Sequence, residues 1–439
     1  GVLLRRVLTG SREAFVGLDF PEGAVRRTIS AMIGRTILAL LLASGCSGSS
    51  SSSSPPQEPR GPGQEEWELV PNERVAEECG LDPELLELAD AEIGRAYGIV
   101  RYGKLCHEYY PEDLYPEGDE IEIVFSAAKT LAGVLVGIAS WETRDIERSG
   151  RKTGPLLDSD RVDHWLDSFT FNQDAQVGHV LGMVGLNEDL SAPDISFTYD
   201  AVGVDQINRL NDVVTLAIAQ DPSLGSSVHE FLEGYVFDAL GMRDSAWEGD
   251  KPDKNFALGW ESTVRDMARV GLLMLDGGVW DGERLMSEDY AYKMTHPSFE
   301  YANTGYAYLT WLIARSNADD GDGTPKTTEP NAECTPSAIW NEFPHGLSTS
   351  PDCNYIAPYD CQQSFDVGVW YAAGLMGNYI SGHPGLDMLL VVKNIGSNNQ
   401  QKVWQAVRPA LVALDPSYEG DEEAFCEAYA ASGYAPDLR

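Results

Sequence analysis

The chain has 439 residues, of which 43% are apolar, enough to furnish a sizeable core and too many for a disordered chain. Asp and Glu outnumber Lys and Arg by 69 to 31, a net charge of -38. A surface this negative repels nucleic acid and anionic lipid head groups, so no nucleic-acid role is expected and the acidity reads as solubility.

The first stretch reads as an export signal. Arg26, Arg27 and Arg35 precede the apolar run 37–43, too short to span a bilayer, which ends in Ser44-Gly45 before Cys46. Leu42-Ala43-Ser44-Gly45-Cys46 is similar to a bacterial lipobox, whose cysteine is acylated and becomes the mature N-terminus, although Leu is usual where Ala43 stands. Translation from Met32 would make 1–31 an upstream extension. A short buried helix is the competing reading; the serine-rich run 47–54 and Pro55-Pro56, a flexible tether, argue against it. The expected layout is a signal or upstream extension over 1–45, a tether over 46–66, one domain over 67–415 and an acidic tail over 416–439. Such a chain would be exported to the periplasm or outer surface of a bacterium and touch membrane only through a lipid on Cys46. The other cysteines, Cys79, Cys106, Cys334, Cys353, Cys361 and Cys426, form an even set suited to disulfides, in a pairing that sequence does not choose. Metal binding is the weaker reading, because no CxxC or HxxxH pair is present.

Along the domain, periodicity predicts a helix over 81–96, capped near Asp82 with Pro83 in its first turn. Two short strands follow over 97–110, around a turn at Tyr102-Gly103-Lys104, and 121–124 is extended. It leads into Ser126 and a helix with the apolar run 131–139. Helical patterns recur over 156–165, 175–186, 204–218, 228–240 (closed by Gly241) and 262–275, with an extended piece over 194–199. Strand character returns at 306–314 and 367–373, which bracket a loop-rich insert, 316–366. A hairpin over 377–380 and 388–395 turns around Gly382-His383-Pro384-Gly385, and a last helix covers 401–414. The expected fold is α/β (α+β): an antiparallel sheet of N- and C-terminal strands, flanked by helices, with a large helical insertion.

Ser126-Ala127-Ala128-Lys129 carries the chemistry. A serine and a lysine three residues apart at a helix start share one face. The serine N–H is free to bind an oxyanion, and the helix dipole favours negative charge there. An amine among Ala128, Ala132 and Val136 loses hydration, so its pKa falls and the neutral form can take the serine proton. A lysine that snorkels outward beside a capping serine fits the same letters. Ser149-Gly150-Arg151-Lys152 and Lys152-Thr153-Gly154 repeat such letters in a polar, Gly-rich stretch with no strand pattern, and read as coincidence. Asp319-Asp320-Gly321-Asp322-Gly323 lacks the distal Glu of a calcium loop, so no metal is expected. No G-x-S-x-G elbow is present.

Taken together, the segments resemble the serine hydrolases related to class C β-lactamases, a group with DD-peptidases, esterases and 6-aminohexanoate-dimer hydrolases. Ser126-Ala127-Ala128-Lys129 matches the first motif, residues 177–186 resemble the segment that ends in TSGL, and Phe197-Thr198-Tyr199-Asp200-Ala201 stands where the family has YxN. Leu240-Gly241-Met242-Arg243-Asp244-Ser245, the stretch 262–269 and the stretch 277–285 follow in family order. Gly374-Leu375-Met376-Gly377-Asn378 occupies the place of KTG or HxG.

The resemblance implies a β-lactamase/transpeptidase-like fold and acyl transfer without a cofactor. Ser126 would be the acylated nucleophile, Lys129 its base and Tyr199 the proton relay to the leaving group. The N–H groups of Ser126 and Asn378, beside Gly377, would form the oxyanion hole. Tyr199 also suits a core aromatic, and Gly377 a strand glycine at a tight packing point. Ala201 replaces the family's substrate-contacting Asn, and Leu375 replaces the cation or imidazole that meets a β-lactam carboxylate. Both departures favour the esterase and amino-acid-oligomer hydrolase branch. His383-Pro384-Gly385 matches HxG by letters but falls in a hairpin turn. The expectation is a serine hydrolase that cleaves an amide or ester of a small-molecule or short peptide-like substrate. A β-lactamase or DD-peptidase acting on cell-wall peptides, and a non-catalytic binding lipoprotein of the same fold, remain the alternatives.

Overall fold

Tyr102 and Gly103 both hold positive φ, 54° and 73°, as the two central residues of a tight type I′ hairpin must. They close β1 (Tyr97–Arg101) onto β2 (Lys104–Tyr109). The computed structural model describes residues 60–170, 172, 174–185, 197–204, 206–247, 255–299, 305–312, 369–396 and 399–411. All belong to the unit Pro55–Arg439. The signal, Cys46, most of the tether, the insert with Cys334, Cys353 and Cys361, and the acidic tail with Cys426 lie outside them.

Ahead of β1 lie α1 (Asn72–Cys79) and α2 (Pro83–Ile93). The Asp82 carboxylate accepts the N–H groups of Glu84 and Leu85, and Gly94 ends α2 in the left-handed region. A disulfide joins Cys79 to Cys106, tying the end of α1 to β2. Next come β3 (Glu122–Ile123), α3 (Ala128–Glu142), α4 (Val162–Trp165), α5 (Val177–Leu181), α6 (Arg209–Ile218) and α7 (Val228–Leu232). They are followed by β4 (Ala246–Trp247), β5 (Trp260–Ser262), α8 (Val264–Leu275), β6 (Val279–Trp280), β7 (Glu283–Arg284) and α9 (Glu288–Thr295). The described chain closes with β8 (Trp311–Leu312), β9 (Trp370–Gly374), β10 (Asn378–His383), β11 (Met388–Val392) and α10 (Gln400–Val407).

The last four strands join the first two in one antiparallel sheet of order β2-β1-β11-β10-β9-β8. Tyr97 faces Val392 across β1 and β11, so the two ends of the domain share a sheet and the intervening helices form the insertion, as the sequence predicts. Helix α8 packs closely on this sheet: a Cβ on Gly98 would lie 2.9 Å from Val264, and one on Gly271 2.8 Å from Ile380. Helix α3 is buried at every residue from Ala128 to Ala139. A helix apolar on all sides belongs inside a core, and this one carries Lys129 there.

Several helices are shorter than their apolar patterns, for local reasons. Over 156–165 only α4 is helical, because the Asp160 carboxylate accepts the Leu157 N–H and holds a turn. Over 175–186, Met183 enters positive φ at 56° and stops α5. The 204–218 pattern becomes helical only at Arg209, since Asp200 takes the N–H groups of Gln206 and Ile207. Residues 197–200 form no strand, although 194–199 reads as extended. Pro409 ends the last helix in a 3-10 turn, Arg408–Ala410. In the β10–β11 turn the His383 ring accepts the Leu386 N–H, the turn chemistry expected of His383-Pro384-Gly385.

Candidate active site

The site is built on the turn that feeds α3. Val124 donates its N–H to the Trp260 carbonyl, anchoring the entering chain on β5. Phe125 then takes φ 51°, a costly conformation for an aromatic residue. A 3-10 turn, Phe125–Ala127, runs directly into α3, so Ser126 sits in the first turn, where backbone N–H groups lack helical acceptors.

One turn on, the Lys129 Nζ lies 3.0 Å from Ser126 Oγ, 2.9 Å from the Ala201 carbonyl oxygen and 3.1 Å from that of Ala257. The side chain is inside the protein, 2% exposed, and does not snorkel outward. A neutral amine has two N–H donors and a lone pair. In the ammonium form the third N–H donates to Ser126 Oγ; in the neutral form the two carbonyls take both donors and the lone pair is left for the serine hydroxyl. Burial moves the pKa the same way, from 10.5 down to about 8, against an upward pull from Asp200.

Tyr199 completes the cluster, its ring centre 5.0 Å from the Lys129 Nζ. The polar side chains of Ser126 and Trp311 lie near enough to its hydroxyl to favour the phenolate; the indole N–H is a donor only. Burial pushes the Tyr199 pKa up, and these two neighbours oppose it. Phe197, Tyr306 and Trp311 pack around the ring, with Tyr199 and Trp311 centres 5.3 Å apart.

The end of a strand lies against the same turn. Gly374, at the end of β9, presses on the Ser126 turn: an added Cβ would overlap the Val124 carbonyl oxygen and lie 3.3 Å from the Ala127 nitrogen. Met376 and Gly377, at φ 68° and 84°, then reverse the chain. The Gly377 N–H donates to the Gly374 carbonyl, and a Cβ on Gly377 would overlap Gly396. Asn378 is fully buried; its amide donates to the Leu375 carbonyl and accepts the Asn394 N–H. Gly377 and Asn378 hold this reversal of the chain, and Gly374 is packed on the turn that carries Ser126. Among the described residues the Leu375 N–H has no acceptor.

Sequence reasoning also missed Asp200, Trp311 and the carbonyls of Ala201 and Ala257. Asp200 had a signal, an acidic residue three positions before Gly203 in a turn-like stretch; the carbonyls had none, since a backbone acceptor is the same in every residue. The second serine–lysine pair stays apart from this site, with Lys152 bound to Asp167 on the surface. No cluster able to hold a metal occurs among the described residues, and no described helix is long and apolar enough to cross a membrane.

No family model matches the chain. Over 233 residues it is 28% identical to a 6-aminohexanoate-dimer hydrolase of Paenarthrobacter ureafaciens, an alignment covering 47% of this chain and 58% of that relative's length. A solved Bacillus anthracis protein with the provisional name 6-aminohexanoate-dimer hydrolase superposes with a TM-score of 0.47 at 14% identity, covering 80% of this chain and 88% of that one. A β-lactamase/D-alanine carboxypeptidase of Pseudomonas syringae gives 0.46 at 13% identity, over 74% of this chain and 99% of that one. TM-scores below 0.5 are too low to carry a functional argument. The sequence relative agrees with the likeness read from the motifs.

Proposed function

We propose that the chain is a serine hydrolase of the β-lactamase-like family, which cleaves an ester or amide through an acyl-enzyme on Ser126. The observation that carries this reading is the Lys129 amine, 3.0 Å from Ser126 Oγ with both of its N–H donors matched to carbonyls. In this mechanism neutral Lys129 takes the Ser126 proton as Oγ bonds to the acyl carbon. The N–H groups of Ser126 and Leu375 hold the resulting oxyanion. Tyr199 passes the proton to the departing alcohol or amine, the acyl–heteroatom bond breaks, and the same groups activate a water that releases the acid.

Apolar side chains favour an uncharged acyl donor, small or peptide-like, over a penicillin carboxylate. Leu375 and Met376 are 59% and 54% exposed beside Gly374, and Val202 is 49% exposed just after Ala201. Export and a lipid on Cys46 belong to the same proposal. The Cys79–Cys106 disulfide suits an oxidising compartment, and labelled fatty acid should enter the wild type but not Cys46→Ser. Turnover of a chromogenic short-chain ester tests the hydrolase reading: Ser126→Ala should lose it, and equal turnover by that variant rejects it. Nitrocefin turnover that outpaces the ester would favour the β-lactamase alternative.

A further inference from the structure

We infer that Asp200 is a positioning residue for this reaction: its buried carboxylate shapes the loop that aims the Ala201 carbonyl at Lys129 and sets Tyr199 against Ser126. The inference rests on the hydrolase reading above. Asp200 is 1% exposed. Its Oδ1 accepts the Gly203 N–H at 2.9 Å, and its Oδ2 accepts those of Gln206 and Ile207 at 2.9 and 3.0 Å. Among the described residues no cation pairs with it directly. Three converging N–H donors need both oxygens as acceptors, which a carboxylate offers and an amide does not. The loop so closed carries Tyr199 at one side of Asp200 and Ala201 at the other.

The same loop locks onto the segment that supplies the second lysine partner. Gly203, at φ 80°, lies where a Cβ would stand 2.6 Å from Asn208 Oδ1 and 2.8 Å from the Ala257 Cβ. Asn208 Oδ1 in turn accepts the Phe256 N–H at 3.0 Å. Both carbonyls that orient the amine therefore hang on one fold of chain around the Asp200 carboxylate. The groups facing Lys129 are Ser126 on its own turn, Tyr199, Asp200 and the Ala201 carbonyl on this loop, and the Ala257 carbonyl opposite. Of these only Asp200 carries a carboxyl group, and it pulls the amine's pKa up against burial.

The test is the rate of fluorophosphonate labelling against pH in full-length wild type, Asp200→Asn and Gly203→Ala. Asp200→Asn should label about 10 to 100-fold more slowly, as expected for misplaced catalytic groups. Its acidic limb should move to lower pH, because the lysine loses the charge that favours protonation. A loss of packing alone would hydrate the amine and move that limb the other way, to higher pH. Gly203→Ala, which strains the loop and keeps the carboxylate, should also slow labelling without a shift of its limb to lower pH. An Asp200→Asn profile that superimposes on wild type overturns the inference. If thermal melting shows that variant unfolded, wild-type labelling by Gly203→Ala overturns it instead. Wild-type protein that takes no label rejects the hydrolase reading itself, a result distinct from either.

Discussion

Gly374 is packed so tightly on Val124 that a Cβ at the glycine would overlap the Val124 carbonyl oxygen. This contact fastens the end of β9 to the turn that carries Ser126, and it fixes where Leu375 offers its N–H. Gly374→Ala should force β9 away and separate the two proposed oxyanion donors, the N–H groups of Ser126 and Leu375. Ester turnover should fall by about 100-fold or more, while the far-ultraviolet circular dichroism stays that of the folded sheet. Wild-type turnover would show that this contact does not set the site.

The Lys129 amine predicts the acid side of the rate profile. With the neutral amine as base, as proposed, kcat/KM should rise with pH and level off above about 8. Lys129→Ala should cost about 1,000-fold, within the usual range for a lost general base. The sign for stability follows from the same shift. The folded pKa lies below the ordinary 10.5, so between about 8 and 10.5 the unfolded chain binds more protons and this group adds stability as pH rises. Denaturation midpoints of wild type and Lys129→Ala, compared across that window, check it.

The Cys79–Cys106 bridge closes a sequence separation of 27 residues. Reducing it, or the double change Cys79→Ser and Cys106→Ser, should lower the unfolding free energy by about 3 kcal/mol. Urea melts with and without reductant measure this, and superimposable melts would contradict it.

Two buried carboxyls, Asp266 and Asp276, should shape stability on the acid side. Burial pushes each up from 3.8 to about 6, against the pull of Arg269 and Arg60 respectively. The folded state therefore binds protons more readily than the unfolded state between 3.8 and about 6. Their contribution is most favourable below 3.8 and is lost as pH rises through about 6. Thermal melts should give a higher Tm near pH 5.5 than near pH 7.5, and Asp276→Asn should reduce that difference. Relief of repulsion within a chain of net charge -38 acts in the same direction.

Local chemistry was the legible part of this molecule. Tyr102-Gly103, the cap at Asp82, the stop at Gly241 and the serine and lysine three residues apart all act over one turn of chain, and each is visible in the letters. The sheet was legible because its strands are apolar runs at both ends of the domain. What the sequence hides is contact between distant backbones. Gly374 against Val124 spans most of the domain, and Leu375-Met376-Gly377-Asn378 gives no outward sign that Met376 reverses the chain. The Ala201 carbonyl beside Lys129 was hidden for the same reason: the letters show the absent Asn side chain there, and give no sign that the backbone oxygen reaches the amine.

The central claim is that an acyl group passes through Ser126. Its most direct measurement is intact-mass and peptide-mapping analysis of protein quenched in acid during turnover of a p-nitrophenyl ester. The account predicts a mass increase equal to the acyl group, confined to the peptide that contains Ser126 and absent from Ser126→Ala. Sustained turnover with an acyl group on another residue, or with undiminished rate in Ser126→Ala, would contradict it.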